Sequence, residues 1–116
     1  MNMAETPEQL VQRQLEAYNA RDVERFAATY AEDVKVYRMP GREPTLSGRA
    51  ALAEHYAKNR FQNPKLHADI VRRIVLGNKV IDHERVVGIE EHPVEVVAVY
   101  EVYDGLIRTV WFFAPA

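Results

Sequence analysis

Three acids and one arginine in this 116-residue chain stand where a fold can gather them for proton transfer. Asp82-His83-Glu84 lies inside an alternating, Val- and Ile-rich stretch, so Asp82 and Glu84 share one strand face and His83 points the other way. Glu101 belongs to the next such stretch. A symmetric turn at residues 90–93 puts Asp82 opposite Glu101, and two opposed acids repel. Either a cation then joins them or one keeps its proton, and Arg38, Arg73 and Arg108 are the available cations. Arg38 ends a short strand before Pro40-Gly41. A guanidinium there, at a pocket floor, grips a carboxylate, enolate or phenolate; a rim arginine in water fits the same position. A structural ion-pair network closing one end of the domain is the corresponding alternative for the acids.

Other chemistries have less to stand on. With no cysteine, disulfides, thiolate metal sites and cysteine nucleophiles are excluded. Ser47, the only serine, is read as a helix cap, which leaves no nucleophile for a Ser-His-Asp triad. His67-Ala68-Asp69 and Asp82-His83-Glu84 carry ligand-type residues, but they give no three same-face ligands without an assumed register, so no metal site is expected. A net charge of −2 without a clustered basic face argues against nucleic acid. The polar start MNMAETPEQ is unlike a signal peptide and no stretch is long enough to span a bilayer, so a cytoplasmic protein without membrane attachment is expected.

The elements that position these residues follow from periodicity and punctuation. Thr6-Pro7-Glu8-Gln9 is a capping box opening a helix to about Asn19, with an inner stripe of Leu10, Val11, Gln14, Leu15 and Tyr18. Gln14 is the polar member of that stripe; it either reaches water at the helix edge or needs a buried partner. Asp22 caps a second helix carrying Val23, Phe26, Ala27 and Tyr30, Ala31-Glu32-Asp33 breaks it, and Val34–Tyr37 alternates as a strand. Ser47 caps a third helix with Leu52, His55, Tyr56 and Asn59. Strands follow over 66–76, 79–88, 94–103 and 106–113, divided by Gly77-Asn78, the 90–93 turn and Asp104-Gly105. Helices first and a meander afterwards mean one α+β domain over residues 1–116, its helices on one face of a curved sheet. Neither face of Val94–Tyr103 is polar enough to be solvated, so one faces a pocket and the other a partner subunit.

Val11-Gln12-Arg13, Tyr18–Asp22, Tyr30–Val34, Ser47-Gly48-Arg49, Glu54-His55-Tyr56 and Asp104–Arg108 occur in an order and spacing that resembles the nuclear transport factor 2-like superfamily. The likeness is to its branch of SnoaL-like polyketide cyclases and ketosteroid isomerases. That resemblance implies a conical barrel of three N-terminal helices on a strongly curved, mainly antiparallel sheet (cystatin-like), with an apolar pocket and a homodimer through the sheet face. It further implies that Gln14, Tyr18, Tyr30, Val36, His55, Tyr56, Asp82, Val99, Trp111 and Phe113 line the pocket. The isomerases' own acid–base residues are not retained: Gln14 replaces the helix-one tyrosine, Arg38 the aspartate base, and a position close to Val99 the second acid. Arginine cannot remove a proton at neutral pH. Tyr56 matches a tyrosine that supports the oxyanion hole, and a Gln14–Tyr56 hydrogen bond is expected.

Trp111 depends on register, because a one-residue slip carries it to the opposite face. A two-residue Asp104-Gly105 loop pairs Glu101 with Arg108; a three-residue loop with a glycine bulge pairs Val99 with Thr109, and the resemblance favours the latter. The expectation is a small-molecule-binding protein, an isomerase, cyclase or lyase working without a cofactor on a small apolar oxygenated compound. Its catalytic candidates are Arg38, Glu84 and Glu101. A non-catalytic binding or scaffold protein with the same pocket is the alternative.

Overall fold

A computed structural model of the chain describes residues 4–115. Met1–Met3 of the polar start and Ala116, both included in the expected domain, lie outside the described residues. Helix α1 (Pro7–Asn19) opens with the expected reciprocal box, in which Gln9 N–H donates to Thr6 Oγ1 at 3.1 Å and Thr6 N–H to Gln9 Oε1 at 2.9 Å. Helix α2 (Val23–Ala27) is capped by Asp22, whose carboxylate accepts from the Arg25 N–H. Strand β1 (Tyr30–Arg38) starts four residues before the expected point, because Ala31-Glu32-Asp33 is carried through as an irregular strand segment rather than a break. A two-residue strand β2 (Leu46–Ser47) precedes α3 (Arg49–Asn59). The cap of α3 is Gly48, not Ser47, and no side chain bonds to it; the left-handed φ of 92° suits glycine there.

The meander is β3 (His67–Leu76), β4 (Lys79–Val87), β5 (Val94–Tyr103) and β6 (Leu106–Phe113). The sheet order is β2-β1-β6-β5-β4-β3, antiparallel except for β1 beside β6. The fold is therefore α+β, three helices against a curved, open six-stranded sheet. Irregularities in β1, in β3 between Ile70 and Arg72, and between β5 and β6 supply local bends of the kind that curl a sheet around helices.

One of those irregularities decides the faces. The β5–β6 hairpin begins as the two-residue loop, Tyr103 opposite Leu106 and Val102 opposite Ile107, and then skips Arg108. From there Glu101 pairs with Thr109, Tyr100 with Val110 and Val99 with Trp111, so neither expected register holds throughout. The inner face of β5 is Val94, Val96, Ala98, Tyr100 and Val102. Trp111, Phe113, Val99 and Glu101 lie on the outer face. The 88–93 connection is likewise asymmetric: Asp82 pairs with Ala98, and Lys79 rather than Asp82 lies opposite Glu101.

The core fills the closed end between helices and sheet. Leu10, Val11, Phe26, Leu52, Val34, Val80, Ile107 and Val110 are almost fully buried there. Asn19 anchors the end of α1 to the edge strand β3, donating to the Ala68 carbonyl at 3.0 Å and accepting from the Ala68 N–H at 2.8 Å. Gly88 permits a close crossing: a Cβ there would lie 2.6 Å from Leu66 Cα, and its φ is 92°. No helix of the described residues is long and apolar enough to cross a membrane.

Candidate functional site

The end of the molecule away from that core is hollow. A cavity of about 710 Å³ is walled by Gln14, Leu15 and Tyr18 of α1 and by His55 and Tyr56 of α3 with the adjoining Arg60. Ala68 of β3, Glu84 and Val86 of β4, Val96 and Tyr100 of β5 and Phe112 of β6 complete the wall, with Arg38 at its edge. Residues Ile89, Glu90, His92 and Pro93 of the β4–β5 connection flank the opening. Behind this wall Phe26 packs tilted or edge-on against four other rings, with centroids 4.8 Å from Tyr56, 5.1 Å from Tyr30, 5.2 Å from Phe61 and 6.0 Å from Tyr18. Those ring contacts fix the tyrosines whose polar ends reach the cavity.

Glu84 is the acid inside. It is 8% exposed and accepts one hydrogen bond, from the Tyr100 hydroxyl at 3.0 Å. Burial, followed by the nearby charge of Asp82, pushes its carboxyl up to about 7, against the smaller opposing effects of the Tyr100 bond and Arg73. Among the described residues no sealed-off side-chain oxygen or nitrogen lacks a partner. Glu84 Oε1 has no hydrogen bond, and neither does the hydroxyl of Tyr18 or Tyr56, so all three open onto the cavity. Burial first, then the neighbouring Glu84 charge, raises the Tyr56 phenol to about 12, and burial raises that of Tyr18 further. Both remain hydrogen-bond donors at neutral pH. A titrating carboxyl facing two neutral phenols can take a proton from carbon and stabilise the charge that develops on a neighbouring oxygen.

Asp82 belongs to a different arrangement. Its carboxylate is 1% exposed and gripped by Arg73 through Nε at 2.6 Å and Nη2 at 2.9 Å, and Arg73 Nη1 donates to Gln12 at 3.0 Å. This closed network leaves Asp82 off the cavity wall; its reach is electrostatic, through Glu84. Gln14 lines the cavity, but its amide donates to the Tyr30 hydroxyl at 3.1 Å rather than bonding to Tyr56. Tyr30 and Val36 are core residues, both 2% exposed, and do not reach the cavity.

Four expected residues face away. Glu101 sits on the outer sheet face beside Lys79 at 3.3 Å and Arg108 at 3.2 Å, and accepts from Thr109 at 3.1 Å. Burial pulls its carboxyl up, yet the bonds from Thr109, Lys79 and Arg108 prevail and hold it low, as suits a structural ion cluster. Val99, Trp111 and Phe113 share that face, where Trp111 stacks on Tyr37. Arg38 is exposed and stands at the rim rather than the floor, its guanidinium 5.3 Å from the centre of the Phe112 ring. His55 lines the cavity; burial, then Arg60 and Arg38, lower its imidazole, so it is neutral at pH 7. Sequence reasoning missed Tyr100, Phe112 and Arg60. Tyr100 shared the stripe Val94–Val102 and needed only the correct register; Arg60 lies one turn beyond Tyr56.

No curated protein matches the chain's sequence significantly. Its fold is that of several solved structures. An uncharacterised cystatin-fold protein from Novosphingobium aromaticivorans superposes with a TM-score of 0.85 at 23% identity, over 96% of this chain and 98% of that one. A candidate ketosteroid isomerase from Kribbella flavida gives 0.79 at 25% identity, over 99% and 83%. An NTF2-like protein of unknown function from Mesorhizobium loti gives 0.80 at 16% identity, over 100% and 96%. The SnoaL-like domain model matches residues 11–110, a span running from the cavity-facing helix α1 to the inner side of β6, and the chain thus belongs to the SnoaL-like domain family.

Proposed function

We propose that this protein binds a small, largely apolar, oxygenated compound in the cavity and catalyses a cofactor-independent proton transfer on it, as an isomerase or lyase. Glu84 carries the reading: a carboxyl with one free oxygen on an apolar hollow, titrating near neutral pH. As the carboxylate it removes a proton from carbon beside a carbonyl. The resulting enolate oxygen accepts from Tyr18 or Tyr56, and the neutral Glu84 returns the proton to another carbon or to a departing hydroxyl. Glu101 has no part in this, and Arg38 contributes to binding only.

The test is hydrogen exchange. Cyclic ketones of increasing size are incubated with the protein in D₂O, and loss of α-protons is followed by NMR for the wild type and Glu84→Gln. Saturable exchange that drops at least about a hundredfold in the variant supports the reading. Saturable binding with no exchange above the buffer rate refutes catalysis and leaves a binding protein.

Self-association is part of the same proposal. The outer sheet face exposes Val71, Ile74, Leu76, Tyr103 and Phe113, while its acids are paired within the chain, Glu101 with Lys79 and Arg108 and Glu95 with His83. An apolar face of this kind suits a second copy related by a two-fold axis.

A further inference from the structure

We infer that the ligand of this cavity is a monocarboxylate, its carboxylate held at the mouth by Arg38 and Arg60 and its second oxygen function inside at Glu84, Tyr18 and Tyr56. This inference rests on the proposed use of the cavity and adds the class of compound. Arg38 comes from the end of β1 and Arg60 from the residue after α3, yet both line the one cavity. Neither forms a salt bridge among the described residues, so both guanidiniums are open to an anion. The Arg38 guanidinium is steadied over Phe112, and Arg60 Nη1 donates to the Asn59 carbonyl at 3.1 Å. Both act on His55 and Tyr56, which places their positive charge on the same side of the opening.

The two acids at the mouth stand in water, Glu90 59% and Glu95 52% exposed, and Glu95 turns toward His83, so solvent screens both. Deeper than those two, the wall carries Glu84, whose ionised form would repel an anion at that depth. A bound anion thus takes the mouth and leaves the uncharged end of the ligand inside. Charge favours a carboxylate over a phosphate dianion. Arg60 caps the C-terminus of α3, where the helix dipole is negative and offsets part of its charge, and among the described residues no helix N-terminus lines the opening to hold a second negative charge.

Four naphthalene probes distinguish the possibilities by calorimetry: 2-naphthylacetic acid, its primary amide, 2-naphthyl phosphate and 2-acetylnaphthalene. The inference expects the acid to bind at least about tenfold more tightly than the amide, and to weaken between 50 and 500 mM NaCl while the amide does not. In Arg38→Gln/Arg60→Gln the acid is expected to lose at least about tenfold in affinity and to bind no more tightly than the amide, and Glu84→Gln keeps the preference. Arg38 is exposed and Arg60 half-buried, so the double variant is expected to fold, with circular dichroism as the check. Equal affinity for acid and amide, or an acid preference that survives the double variant, overturns the inference while leaving the proton-transfer reading intact. A phosphate that binds more tightly than the acid overturns the choice of carboxylate. Failure of all four to bind overturns the ligand-binding reading as well.

Discussion

Replacing Glu84 by glutamine is expected to stabilise the protein at neutral pH while removing the proposed proton-transfer activity. Glu84 titrates at about 7 in the fold against 4.5 for the unperturbed group. For an acid raised on folding, the unfolded chain gives up its proton first, so stability is full below about pH 4.5 and falls as pH rises toward 7. The interval corresponds to roughly 3 kcal/mol, with about 2 kcal/mol already lost at pH 6. Glutamine keeps the shape and can still accept from the Tyr100 hydroxyl, but has no proton to lose. At pH 4.5 the two proteins should therefore melt within a degree or two of each other. At pH 7.5 the variant should be more stable by about 3 kcal/mol, on the order of 10 °C for a chain of this size. Urea titrations at pH 4.5, 5.5, 6.5 and 7.5 measure the difference directly, because the contributions of other carboxylates cancel between wild type and variant. A stability gap that does not change with pH would refute the reasoning, since it would mean that Glu84 titrates alike in the folded and unfolded chain.

Other substitutions probe the groups around it. Gln14→Leu removes the partner of the buried Tyr30 hydroxyl and should cost about 1–3 kcal/mol, most of it recovered in Gln14→Leu/Tyr30→Phe by chemical denaturation. Arg73→Met strands the buried Asp82 carboxylate and should cost about 3–5 kcal/mol at pH 7, with Asp82→Asn on top restoring part of it. Gly88→Ala meets both a left-handed φ and the Leu66 backbone, and a loss of at least about 2 kcal/mol is expected in the same assay. Ile74→Lys on the outer sheet face should shift sedimentation from dimer to monomer without altering the melting of the isolated chain; an unchanged sedimentation coefficient would remove that face from the proposed interface.

Local signals in the sequence carried the element order well. The Thr6–Gln9 box, the Asp22 cap and the Asp104-Gly105 turn are chemical instructions read by the nearest few residues, and all three are where the sequence places them. The sites that failed depend on parity between strands. Trp111 shares a face with Val99, as in the favoured register, but that face of β5 is the outer one: Asp82 lies opposite Ala98 and not Glu101, which turns Val99, Trp111 and Phe113 outward and Phe112 inward. The asymmetric 88–93 connection sets that register, and it leaves Asp82 with Arg73 and Glu101 with Lys79 and Arg108 instead of one another. Glu84 was legible because alternation sets it on the face of Asp82 and the resemblance turns that face inward, with no register to β5 needed. Tyr30 as the partner of Gln14 was hidden by reading it as the end of a helix, when it opens β1.

The central claim is that a carboxyl poised to exchange its proton near neutral pH faces the cavity. Carbon-13 NMR of protein labelled at glutamate Cδ, titrated from pH 4 to 9, addresses it without knowledge of any substrate. One resonance, absent from Glu84→Gln, is expected to titrate with a midpoint near 7, while that of Glu101 titrates below the ordinary glutamate range. A Glu84 resonance with its midpoint between 4 and 5 would contradict the account, because such a carboxylate is hydrated and too weak a base for the proposed proton transfer.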